Sequence, residues 1–209
     1  ALSRSRGEVR VDDAFVDRLV TFSRALRVGP GIRPATEMGP LIAQAQLDRV
    51  MGYIDGAAPQ GATLVTGGRR LGGDLSQGYF VEPTIFCDVR PEMTIAREEI
   101  FGPVISVIPF DTEEEVLRMA NDSPYGLGGA VWTQDLSKAM RMVNGIRTGT
   151  FWVNCYDWMD AGVGMNGTKM SGYGGKGGPS HVENFLYQKS VYINHTWAEG
   201  TSPAGAGLR

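Results

Sequence analysis

The feature that most constrains the fold lies in the middle of the chain. Residues 104–110 (VISVIPF) are nearly all apolar and read as a strand buried on both faces. Residues 112–120 follow as a helix, opened by the capping-box pattern T-E-E-E. Residues 128–133 (GGAVWT) read as a strand, 137–146 as a helix and 149–154 (GTFWVN) as a strand. Strands that alternate with helices predict an α/β fold, a largely parallel open sheet with helices on its faces.

The flanks are consistent with that class. In residues 11–26, Val11, Phe15, Leu19, Phe22 and Leu26 fall on one helical stripe, with Asp12 and Asp13 at the positive helix end. Residues 43–54 form a second helix, with Leu47, Val50, Met51 and Ile54 inward. Residues 61–68 (GATLVTGG) read as a short strand ending in a turn. Residues 79–89 (YFVEPTIFCDV) are extended but contain Pro83, so they form an edge strand or break there. Residues 156–180 have no periodicity. A short helix near 181–187 leads to an alternating strand at 189–194 (KSVYIN), and 196–209 is a Gly-, Ala-, Ser- and Pro-rich tail.

Bulk properties narrow the function. The 209 residues are enough for one large domain or two small ones. A net charge of −3 gives no basic footprint, so no nucleic-acid partner is expected. No apolar run approaches a membrane span, and ALSRSRGEV does not resemble a signal peptide. Cys87 and Cys155 are too few for a disulfide framework, which points to a reducing, cytoplasmic setting. His181 and His195 lack ligand spacing, so no metal site is expected.

Three stretches invite a chemical reading. Gly172–Gly178 (GYGGKGG) contains G-x-G-x-x-G but follows no strand, so a closely packed loop is the better reading than a phosphate cradle. Cys155 ends a strand, yet free cysteine is most often a small core residue. Glu98 and Glu99 run into Phe101-Gly102-Pro103 in REEIFGPV (97–104). On composition alone the two acids read as structural. The rigid corner behind them is able to hold one acid in a fixed place against a ligand.

Taken in order, REEIFGPV, DSPYGLGGAVWTQD after an Ala-Asn pair, GTFWVN and G-T-K-M-S-G resemble the NAD(P)-dependent aldehyde dehydrogenase superfamily, from about Ser3 to Asn194. The resemblance implies an aldehyde dehydrogenase catalytic-domain-like fold over residues 1–187 and an oligomerisation strand at 188–195 that builds a homodimer or homotetramer. Residues 196–209 remain a flexible tail. It implies that Glu99 accepts hydrogen bonds from the nicotinamide ribose, that Phe101 packs at the nicotinamide end, and that Gln46 and Arg49 approach the adenine ribose of NAD or NADP. Asp157, Met159 and Met165 would line the site of a small-molecule aldehyde. Met165 stands where an aromatic residue is common, and Asn166-Gly167 replaces Gly-Gly.

In the family a cysteine thiolate attacks the aldehyde, hydride leaves to the cofactor and water releases the acid from a thioester. The matching nucleophile would lie two residues before Ala1, and the dinucleotide-binding domain also upstream. No residue of this chain is therefore expected to be catalytic, and the chain alone is expected to be inactive. The alternative is a non-catalytic, oligomerising interaction module. A nucleoside-triphosphate binder built on GYGGKGG comes third.

Overall fold

The computed structural model describes residues 2–4 and 11–193. The tail expected at 196–209 and the last residues of the expected assembly strand, Asn194 and His195, lie outside the described residues. The chain forms two compact units. One runs up to Pro124 and takes back Thr133–Arg147; the other holds Tyr125–Trp132 and the chain from Thr148 onward.

The first unit contains β1 (Leu2–Arg4), α1 (Val11–Ala25), α2 (Gln44–Ala57), β2 (Thr63–Thr66) and β3 (Thr84–Cys87). It continues with α3 (Thr94–Arg97), β4 (Val104–Ser106), β5 (Ile108–Phe110), α4 (Glu113–Asn121) and α5 (Leu136–Gly145). Strands β2, β3 and β4 form one sheet in that order, β3 antiparallel to β2 and parallel to β4. Strand β1 lies parallel beside β5.

Helix α2 is amphipathic at helical spacing. Leu47, Val50, Ile54 and Ala57 are buried, and pack with Phe86, Val89, Met93, Ile95 and Ile100. A 3-10 turn at Ala58–Gln60 and left-handed Gly61 (φ 98°) end it. Helix α4 is capped by the hydroxyl of Thr112, which accepts from the Glu115 N–H at 3.1 Å. The Glu115 carboxylate reaches back to the N–H of Asp111 rather than to that of Thr112.

The second unit contains β6 (Tyr125–Gly126), β7 (Gly128–Val131), β8 (Thr150–Val153), β9 (Met165–Asn166), β10 (Thr168–Lys169) and β11 (Gly175–Lys176). Strands β7 and β8 are parallel. Strand β10 runs antiparallel to β6, and β11 antiparallel to β9. A 3-10 helix spans Pro179–Phe185.

The α/β class holds, with mixed sheets in place of one continuous parallel sheet. Three local expectations need correction. First, α1 does not bury Phe15 and Phe22, which are exposed; Val16, Leu19 and Val20 face inward, packed with Ile85 and Val107, and Ser23 is buried. Both stripes have helical spacing, and the tertiary partner decides between them. Second, of the two readings for 79–89 the break at Pro83 is the one found, and the strand that begins at Thr84 is central, not an edge. The ladder starts just past the residue that cannot donate, with the Thr84 N–H bonded to the Pro103 carbonyl at 2.8 Å.

Third, the apolar run at 104–110 is two strands. It changes partner at Val107, whose N–H donates to Phe86 at 2.8 Å, and β5 then pairs with β1. Residues 189–193 join no ladder among the described residues; the partner expected for them is the sheet of a second subunit. The irregular stretch at 156–180 also holds three short strands, β9 to β11.

Burial separates two phenylalanines that look alike in sequence. Phe86→Ala should lower unfolding free energy by about 3–5 kcal/mol, because Phe86 is 1% exposed. Phe22→Ala, at 64% exposure, should change it by less than about 0.5 kcal/mol. Urea denaturation of the two variants checks the pair, and equal losses would restore the Phe15/Phe22 stripe as the inward face.

Candidate functional site

The segment after α3 answers why two acids stand side by side. Helix α3 stops at Arg97, and Glu98 is already extended (φ −110°, ψ 149°). Extended backbone sends successive side chains to opposite sides. Glu98 turns to α2, where its Oε2 accepts a 2.6 Å hydrogen bond from the Tyr53 hydroxyl. Glu99 is exposed, and its carboxylate has no partner among the described residues.

The next residues are held tightly. Ile100 is buried in the α2 core. Phe101 has a φ of 54°, a left-handed conformation that is rare for a bulky residue, and its ring is 71% exposed. A side chain at Gly102 would place its Cβ 2.6 Å from a Val50 methyl, so only glycine lets the corner approach α2 this closely. The Val104 N–H returns to the Gly102 carbonyl at 2.8 Å, a tight turn around Pro103.

Gln46 and Arg49 lie one turn apart on α2, and both point at this corner. Gln46 Nε2 donates to the carbonyls of Ile100 (3.0 Å) and Phe101 (2.8 Å). Arg49 Nη2 donates to the Glu99 carbonyl (2.8 Å) and to the Tyr53 hydroxyl (3.1 Å). The guanidinium carbon sits 5.4 Å from the centre of the Tyr53 ring. The structure thus brings Gln46, Arg49, Glu99 and Phe101 together within one unit.

Sequence reasoning missed Tyr53. Its signal was the spacing, since it stands four residues after Arg49 on the same helical face.

Asp157, Met159 and Met165 all lie in the other unit. Asp157 (φ 57°) and Met159 are exposed on the loop after β8, and Met165 opens β9, half-buried and paired with Lys176. Beneath that loop Trp152 is buried; its ring N–H donates to the Trp158 carbonyl at 3.0 Å, and it stacks obliquely on Tyr156, 5.2 Å between centres. Cys155 is exposed. In the glycine-rich segment Gly175–Lys176 pairs with β9 and the rest is loop, with Gly172, Gly174, Gly177 and Gly178 at positive φ.

No cluster of three or more metal-ligating side chains occurs among the described residues, and no described helix is long and apolar enough to cross a membrane.

The aldehyde dehydrogenase family model matches residues 2–191. The chain belongs to that family. It is 44% identical over 183 residues to a betaine aldehyde dehydrogenase of Brucella anthropi, covering 87% of this chain and 37% of that protein. It is 42% identical to a putative aldehyde dehydrogenase of Bacillus subtilis, covering 87% of this chain and 36% of that protein. The crystal structure of a Mycobacterium tuberculosis aldehyde dehydrogenase complexed with NAD+ superposes with a TM-score of 0.86 at 45% identity, covering 94% of this chain and 40% of that one. An NAD+ complex of a Bacillus cereus aldehyde dehydrogenase gives 0.84 at 42% identity, covering 88% and 37%. The chain therefore spans well under half the length of these aldehyde dehydrogenases.

The Tyr53–Glu98 contact has a titration signature. The hydrogen bond to Glu98 first, then desolvation, raises the Tyr53 phenol above its ordinary 10.0, opposed by the Arg49 charge. Because the folded value is raised, the contact's contribution is complete below pH 10 and is lost as pH climbs through the folded value. Ultraviolet titration of the phenols should lose a group ionising above pH 10 in Tyr53→Phe. A variant that loses only a group ionising near 10 would place Tyr53 outside this contact.

Proposed function

We propose that this chain is the cofactor-clamping and aldehyde-lining portion of an NAD- or NADP-dependent aldehyde dehydrogenase that oxidises a small-molecule aldehyde to a carboxylic acid. The nucleophile and the dinucleotide-binding domain belong to the remainder of that enzyme, and this chain by itself does not turn over. The observation that carries the reading is the sorting of two adjacent acids. Glu98 is spent on Tyr53, while Glu99 is left as an exposed carboxylate on a corner fixed from behind.

A carboxylate accepts two hydrogen bonds, which suits a ribose diol, and the exposed ring of Phe101 offers a flat apolar surface for the nicotinamide end. The residues present therefore fit the cofactor. Bound NAD or NADP supplies the two-electron acceptor; this chain's residues orient it. Asp157, Met159 and Met165 line the aldehyde path, and methionine side chains adapt their shape to the substrate they meet. Betaine aldehyde, named in several relatives, is the first substrate to try.

The same reading makes residues 188–195 an assembly strand for a homodimer or homotetramer in the cytoplasm. It is supported by Val191, Tyr192 and Ile193, all exposed, and by the absence of a disulfide between Cys87 and Cys155.

Two experiments test the proposal on the full-length enzyme. Glu99→Gln should lower kcat/KM for NAD on the order of 10- to 100-fold, with hydride transfer slowed, through loss of a charged acceptor at the ribose. Unchanged cofactor kinetics would remove the ribose assignment. Deletion of residues 188–195 should reduce the mass measured by light scattering to that of a monomer, and an intact oligomer would assign assembly to another surface.

A further inference from the structure

The side chains of Gln46, Arg49, Tyr53 and Glu98 form a connected frame around Glu99. Two side chains of α2 take three successive main-chain carbonyls, those of residues 99, 100 and 101. Fixing consecutive carbonyls fixes the peptide planes between them, and with them the direction in which the Glu99 side chain leaves the backbone. Only its own torsions stay free.

The frame also closes on itself. Arg49 donates to Tyr53, Tyr53 donates to Glu98, and the carbonyl of the next residue, Glu99, accepts from Arg49. Each proton has one acceptor along this ring, and Glu98 ends it as a carboxylate. Arg49 Nη2 has two hydrogens, and both are used.

From this geometry we infer that Gln46 and Arg49 are positioning residues that act on the cofactor through Glu99 and Phe101, and that Tyr53 and Glu98 form the latch that holds Arg49 in place. The inference rests on the ribose reading of Glu99, and it replaces direct contact of Gln46 and Arg49 with the adenine ribose. Arg49 and Glu98 are exposed and Gln46 only half-buried, so these bonds add little to global stability. Their effect is on where one carboxylate sits. A displacement of about 1 Å at a site that orients a reactant is able to cost on the order of 100-fold in rate.

The decisive experiment is a double-mutant cycle on kcat/KM for NAD in the full-length enzyme, using Arg49→Met, Gln46→Ala and Glu99→Gln. Arg49→Met alone should lower kcat/KM for NAD on the order of tenfold, leave KM for the aldehyde unchanged and shift Tm by less than about 3 °C. In the Glu99→Gln background the same change should have no further effect, because there is no ribose acceptor left to position. Equal losses in both backgrounds overturn the inference in favour of direct contact. Tyr53→Phe should reproduce a part of the Arg49→Met loss and add nothing to it.

A second readout separates this inference from the ribose reading. Amide hydrogen exchange across residues 98–104 should accelerate in Arg49→Met and Gln46→Ala, with α4 and β8 unchanged. Unchanged exchange at 98–104 overturns the positioning role whatever the kinetics show. Accelerated exchange combined with a silent Glu99→Gln leaves the positioning of the corner standing and removes the ribose clamp.

Discussion

The first unit depends on the docking of residues 98–103 onto α2. The contact is apolar at its centre. Ile100 enters the cluster formed by Leu47, Val50 and Ile54, and Gly102 lets the chain pass against Val50 with no side chain between them. Directly after this contact the chain becomes β4. The Pro103 carbonyl receives the Thr84 N–H, and the β3–β4 ladder begins one residue later. A corner that sat even one residue out of place would send the β4 side chains to the wrong face, because strand periodicity is two. One short loop therefore sets the register of the sheet and presents the candidate cofactor residues.

The energetics divide between holding and aiming. Burying Ile100 is worth about 1.5–3 kcal/mol, enough to offset the roughly 1–3 kcal/mol cost of a left-handed Phe101. The hydrogen bonds from Gln46 and Arg49 are partly exposed, and each contributes modestly in net terms. They are directional where the apolar contact is not. Burial keeps the corner on the helix, and the polar frame decides which way its carbonyls and the Glu99 side chain face.

Much of this was legible in the sequence. The apolar spacing of Leu47, Val50 and Ile54 marked the buried face of α2, and Gly102-Pro103 marked a corner. The resemblance pointed to Glu99 and Phe101, and the structure sets both on that corner. What stayed hidden has a common cause. On α1, Phe15/Phe22 and Val16/Val20 both satisfy a helical period, and the choice was made by Ile85 and Val107, more than sixty residues away. At residues 104–110 the composition showed an apolar run, but not that Val107 hands the chain from one sheet to another. Tyr53 was invisible as a latch because its partner, Glu98, is 45 residues distant. Periodicity describes an element by itself; these features are decided by what the element meets.

Backbone strain is the property a sequence conceals most completely, and here it falls where the chemistry is expected. Five non-glycine residues among the described ones have positive φ, and two of them, Phe101 and Asp157, are candidate site residues. Asp157 carries limited weight, since aspartate tolerates this region. Phe101 carries more, because an aromatic side chain pays full steric cost there and glycine would remove it. A left-handed phenylalanine with an exposed ring gains little from burial in this chain. Its conformation is imposed by Gln46 on one side and Gly102-Pro103 on the other, and the outcome is a ring presented outward beside Glu99. Strain is retained here at a residue whose side chain contributes little to the fold, which is the observation that the proposed role of the ring at the cofactor would account for.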